Sequence, residues 1–233
     1  MRYNHSVTQS SIAKPSIAQS SGAGILATHR VLRNTYLLLS MTLLFSAGMA
    51  GVAMTLDLPH PGLIITLVGY FGLLFLTHRF SHSALGIVFV FALTGFMGMT
   101  LGPILNMYLK AFANGQQLIF MALAGTGLTF LGLSAYALVT RKDFSFMAGF
   151  LMTGIWVAFF AGLAALLFSV PALSLAVSAM FVLLMAAMIL FQTSQIIHGG
   201  ETNYILATVT LYVSLYNLFT SLLQLLGVFG GDD

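Results

Sequence analysis

Charge is what this chain has least of: eight Lys or Arg and five Asp or Glu among 233 residues, 6% of the sequence. Soluble domains carry roughly a quarter of their residues as charges, so a water-soluble fold is excluded. None of the charged residues falls inside the seven long apolar runs that make up most of the chain. Any chemistry within those runs therefore proceeds without a carboxylate, lysine or arginine. Cysteine is absent, which excludes a disulfide, a thiolate nucleophile, an iron–sulfur cluster and a thiolate zinc site. Acidic residues are missing from the first 33 positions, and so is the apolar core of a secretory signal. That Ser-rich opening, Met1 to Arg33, has too little apolar surface to fold alone and reads as a flexible tail.

What is present is hydrophobicity, 59% of the residues. Crossing a hydrocarbon core of about 30 Å takes around 20 apolar residues as helix, and lipid offers no partner to unpaired backbone groups. Each run is therefore expected to be a membrane-spanning helix. They extend over Asn34–Leu56, Gly62–Thr77, Ala84–Leu101, Gln117–Val139, Phe144–Phe168, Pro171–Ile197 and Tyr204–Val228, joined by short segments bearing breakers or charge. The expected organisation is all-α: a tail at 1–33, a seven-helix transmembrane domain at 34–228 and a short end at 229–233.

Orientation follows from the basic residues. With the tail cytoplasmic, that side holds Arg2, Lys14, Arg30, Arg33, Arg79, Arg141 and Lys142, and the other side only Lys110. The N-terminus is thus expected in the cytoplasm and the C-terminus in the periplasm. The formal charge of +3 is spread over loops and makes no nucleic-acid patch.

Small residues recur at spacings that let helices approach closely, including Gly98 with Gly102 and Ala158 with Gly162, and are expected to serve ordinary helix contacts. The last run carries a polar stripe: Thr210, Ser214, Asn217, Ser221 and Gln224 recur at intervals of 4, 3, 4 and 3. Such a face turns toward the bundle interior. Two readings compete: interhelical hydrogen bonding, or a hydrated path with Gln192 and Gln195 at its cytoplasmic end.

Catalytic arrangements find little support. An aspartyl intramembrane protease needs two embedded Asp, and the runs hold none. A serine protease needs a His base in reach of its nucleophile; Ser134 lies in a run, but no His does. No Lys follows Lys142 to form a retinal Schiff base. His78 and His82 lack a nearby acidic partner and read as loop histidines, and His198 with Glu201 as a structural turn. No enzymatic activity, cofactor or metal is expected.

Three stretches in order, GMTLGPIL at Gly98–Leu105, GLSAYALVTRKDFSFMAGFL at Gly132–Leu151 and FQTSQIIHGGETNYILATVTLYVSLYNLF at Phe191–Phe219, together resemble the Bax inhibitor-1 family, in particular its bacterial YccA-like branch. The resemblance covers nearly the whole chain. It implies a seven-helix bundle in the bacterial inner membrane and two kinds of activity. In one set of members an acidic pair on the sixth and seventh helices is implicated in a pH-sensitive calcium leak; the corresponding positions here are Gln192 and Ser214, which supply no carboxylate for Ca²⁺. The YccA-like branch implies instead a substrate and modulator of the membrane-anchored AAA protease FtsH, assembled with HflK and HflC. A cytoplasmic tail opening with Met1, Arg2, Tyr3, Asn4 and His5 would give such a protease an end to grip.

Overall fold

The computed structural model describes residues 17–230, with side chains from Thr28 onward. Among the described residues the chain forms seven α-helices: α1 (Ile17–Thr55), α2 (Leu63–Arg79), α3 (Ala84–Ala111), α4 (Gly115–Thr140), α5 (Ala148–Leu167), α6 (Pro171–Ile197) and α7 (Tyr204–Phe229), with one 3-10 turn at Ser145–Met147. Six contain segments long and apolar enough to cross a membrane; α2, at 17 residues, is the shorter apolar helix. At the rise of an α-helix it reaches roughly 26 Å, a little short of the hydrocarbon core.

The central element is α7, which packs on α1, α3, α4 and α6. Its most apolar stretch is 61% buried, whereas that of α5 is 17% buried. The asymmetry has a chemical cause. A helix carrying Thr, Ser, Asn and Gln along its length loses least when its neighbours are protein, while α5 presents Phe150, Trp156 and Phe160 outward, as a lipid-facing helix can. α2 packs on α3, and α5 on α6, so both stand at the periphery.

Close backbone approach fixes the pair α1 and α3. A Cβ on Gly102 would lie 2.5 Å from Ala53 Cβ and 2.8 Å from the Ala50 carbonyl oxygen, and one on Gly98 would collide with the carbonyl oxygen of Ser46. The Gly98 and Gly102 spacing thus serves a contact within the chain. On the other side of the bundle, Gly162 approaches Val177 and Ala158 is fully buried between α5 and its neighbours.

Several helix limits differ from those read from the sequence: α5 begins at Ala148, after the 3-10 turn, where Phe144 was expected, and three others bear on the reading. α1 starts at Ile17, so the boundary expected at Asn34 falls within a helix; the tail residues Met1 to His5 lie outside the described residues. α2 continues to Arg79 and carries His78 in its last turn, so a histidine does lie on a helix. α3 runs on to Ala111 through Gly102 and Pro103, where a stop was expected after Leu101. Pro removes one helical donor, but a helix enclosed by lipid and neighbours has few alternatives to remaining helical. Its second half is also anchored at long range: Asn106 Nδ2 donates to the Met54 carbonyl at 3.0 Å and to Asp57 at 3.1 Å, and Lys110 Nζ reaches Asp57 at 2.9 Å. The Lys110 hydrogen bond and charge hold the Asp57 carboxyl below the usual carboxylate range. The pair is exposed, so it positions more than it stabilises.

The connections have recognisable caps. Asn203 caps α7, its side-chain oxygen accepting from Ile205 N at 2.9 Å, while its Nδ2 donates to the Ser81 carbonyl at 3.0 Å and ties α7 to the α2–α3 loop. Pro171 opens α6 at the position where its missing N–H costs nothing. Asn114 Nδ2 donates to the Gly230 carbonyl at 2.6 Å, closing the other end of α7 against α4.

Candidate functional site

The polar stripe of α7 does not form one continuous feature; the neighbouring helices divide it. At its C-terminal end Gln224 bridges to α6, donating to Ser174 Oγ at 2.6 Å and accepting from Ser178 Oγ at 2.7 Å. This is interhelical hydrogen bonding of the kind worth about 0.6 kcal/mol per bond. Ser221 is buried on the same helix. Thr210, Ser214 and Asn217 instead face a cavity of about 440 Å³. Their bonds to protein stay on their own helix: Ser214 Oγ donates to the Thr210 carbonyl at 2.8 Å and Asn217 Nδ2 to the Val213 carbonyl at 2.8 Å.

The two glutamines of α6 lie elsewhere. Gln192 is buried outside that cavity, and its Nε2 has no hydrogen-bond partner among the described residues. Gln195 Nε2 donates to Ser145 Oγ at 2.8 Å, as part of a latch that holds the α4–α5 connection on the end of α6. In that latch Ser194 Oγ donates to the Lys142 carbonyl and accepts from Phe144 N, both at 3.1 Å. His198 contacts the carbonyl oxygens of Ser194 at 2.9 Å and Arg141 at 3.0 Å. Asp143 accepts from the side chain and backbone of Ser145, and these bonds hold its carboxyl below the usual range. The structure thus gathers Gln195, Ser145, Ser194 and His198 at a loop anchor, and separates them from Thr210, Ser214 and Asn217. Gln192 and Ser214 are both buried and neutral.

A second polar line on α7 escaped the sequence reading. Thr208, Tyr212, Tyr216 and Thr220 recur every four residues. Tyr212, nearly inaccessible, has its hydroxyl 2.6 Å from Ser46 Oγ on α1 and 3.2 Å from the Thr94 carbonyl on α3. Tyr216 OH lies 3.2 Å from Thr100 Oγ1 on α3. The i, i+4 spacing was the available signal, hidden because tyrosine counts as apolar in a composition of this kind.

The cavity lies where α2 stands apart from α6 and α7. One face of α2 lines it, with Thr66, Tyr70, Leu74 and His78 in succession; Thr100 on α3 and the stripe residues on α7 supply the opposite polar side. Among the described residues no Lys, Arg, Asp or Glu lines it. The arrangement can therefore accept and donate neutral hydrogen bonds but holds no carboxylate for a cation or proton.

Comparison with known proteins places this geometry in context. The family model described as inhibitor of apoptosis-promoting Bax1 matches residues 28–231. The chain is similar to the modulator of FtsH protease YccA of Escherichia coli strain K12, with 56% identity over 208 residues, covering 89% of this chain and 94% of that protein. An inner membrane protein YccA of Escherichia coli O6:H1 matches to the same extent. An uncharacterised protein of Pseudomonas aeruginosa is 58% identical over 203 residues, covering 87% of this chain and 91% of the relative.

Proposed function

Because the chain belongs to the family of inhibitors of apoptosis-promoting Bax1, and within it is near full-length similar to a protein named for modulating a protease, we propose that it is a multi-pass inner-membrane regulator of the FtsH protease. The carrying observation is the 56% identity over 89% of this chain and 94% of the Escherichia coli modulator. In this reading it performs no catalysis, meets FtsH in its assembly with HflK and HflC, and is itself a slowly degraded substrate.

The physical basis has two parts. An ATP-driven protease needs a chain end to grip, and the polar segment ahead of α1 offers one. The bundle then resists removal, since drawing each helix into water exposes apolar surface at about 25 cal/mol per Å². α7 is further tied to its neighbours through Tyr212, Tyr216, Gln224 and the Asn203 cap. Slow extraction means long occupancy of the protease. The direct experiment is gentle purification from native membranes followed by identification of bound proteins. FtsH is expected in stoichiometric yield, and its absence from crosslinked and native preparations alike would exclude the reading.

The orientation belongs to the same proposal: N-terminus in the cytoplasm, seven crossings including the short α2, C-terminus in the periplasm. The natural lack of cysteine allows a clean check with single introduced thiols. His60→Cys and Gln116→Cys should react with an impermeant maleimide in intact spheroplasts. His82→Cys and Lys142→Cys should react only after the membrane is opened. Equal labelling of His60→Cys and His82→Cys from one side would show that α2 does not cross.

A further inference from the structure

The cavity beside α7 has the form of a ligand site within the bilayer. Its volume of about 440 Å³ falls in the range of small-molecule pockets, which combine apolar walls with a few placed polar groups. From Thr66 to His78 it follows α2 for about 18 Å at the helical rise, a length suited to a hydrocarbon chain lying along the bilayer normal. Met185, Met188 and Phe181 of α6 provide an adaptable apolar wall. On the bilayer side, α2 and α5 meet through rings: Phe71 of α2 stands edge-on to Phe159 of α5 with centroids 5.8 Å apart, and within α5 Trp156 stands edge-on to the same Phe159 at 6.0 Å. Such a contact between two peripheral helices can open to lipid without parting any backbone packing.

The polar side limits the occupant. Asn217 sits midway along α7 and commits one N–H to Val213; an amide has a second N–H and an oxygen with two lone pairs. Ser214 and Thr210 stand one and two turns away on the same side. Three neutral hydrogen-bonding side chains along one side of α7 suit a head that is polar but uncharged. A phosphate beside Asn217 would find no Lys or Arg among the described lining residues; His78, the one basic side chain there, is held in the last turn of α2, and an unpaired charge in such surroundings is strongly disfavoured.

We propose that this cavity binds a neutral membrane lipid, with its hydrocarbon chain along α2 and α6 and an uncharged hydrogen-bonding head on Asn217 and Thr210, entering from the bilayer between α2 and α5. The site is independent of the protease reading and is tested on the pure protein.

Trp156 is the only tryptophan in the chain and lines the cavity, so its fluorescence reports on occupancy. The protein in phosphatidylcholine nanodiscs is titrated with a monoacylglycerol bearing a brominated chain, and separately with lysophosphatidylglycerol bearing the same chain. The neutral probe should quench in a saturable manner, above the linear quenching that contact with bulk lipid gives both probes. Asn217→Val and Thr210→Val should each weaken half-saturation about five-fold, the effect of one hydrogen bond of roughly 1 kcal/mol. Ser214→Phe, which fills the cavity, should leave only the linear component. Thr210→Val is nearly isosteric and keeps the test informative if Asn217→Val does not fold. Linear, equal quenching by the two probes would overturn the proposal, as would saturable quenching unchanged in Thr210→Val and Ser214→Phe.

Discussion

Gly98→Leu should eliminate the folded protein. A side chain at this position runs into the carbonyl oxygen of Ser46, a backbone atom that can yield only if α1 leaves α3. Ser46 also carries the hydroxyl that meets Tyr212 at 2.6 Å, so displacement at this point unseats α7 as well. Overpacking of a dense contact costs about 1–3 kcal/mol even where a side chain can adjust, and here the obstacle is main chain. The measurement is thermal unfolding in mild detergent, followed by size-exclusion chromatography. Gly98→Leu is expected to aggregate or to melt far below the parent. Gly48→Leu is the matched control, because a Cβ there meets nothing within 4 Å, and its melting temperature should stay within a few degrees.

Removal of residues 2–16 should lengthen the lifetime of the protein in cells several-fold when FtsH is present and leave it unchanged when FtsH is absent. The deletion stops short of Ile17, where α1 begins, so the bundle is retained. Under the proposal, the same deletion also relieves the drag that the full chain places on other FtsH substrates, because the gripped end is gone while the resistant bundle remains. Pulse-chase measurement in the two backgrounds gives the answer. An unchanged lifetime in FtsH-containing cells would remove the tail from the mechanism and leave the bundle surface as the contact.

The helices were legible because lipid makes the rule simple: each long apolar run has to satisfy its own backbone, and the charges fall between the runs. The limits were less legible where a long-range partner decided them. Gly102 and Pro103 read as a stop, yet Asn106 and Lys110 hold the following turns of α3 to Met54 and Asp57, about fifty residues away in sequence. The stripe on α7 was legible as polar, since period and residue type suffice for that. Its division was not, because the partition depends on which helix lies opposite: Ser174 and Ser178 face Gln224, whereas an open cavity faces Asn217. Gln192 and Gln195 shared a segment in the sequence reading and, three residues apart, they point only about 60° from one another around α6; what separates them is position along the axis, since Gln195 lies in the last turn, where Ser145 of the α4–α5 connection meets it. One ends in the core and the other at the loop anchor.

The lateral cavity also owes its existence to an arrangement invisible in local pattern. Nothing in Leu63–Arg79 announces that this helix packs on α3 and leaves a space toward α6 and α7. The meeting of Phe71 on α2 with Phe159 on α5, beside Trp156, is likewise set by how the two helices stand and not by either segment alone.

The central claim is that this protein restrains FtsH, and the most direct measurement is the rate at which purified FtsH degrades a defined membrane substrate in liposomes, with and without this protein at equal molar amount. The account predicts slower degradation of the substrate, together with slow loss of the protein itself, and recovery of the full rate when residues 2–16 are deleted. An unchanged substrate rate with the intact, folded protein present would contradict it.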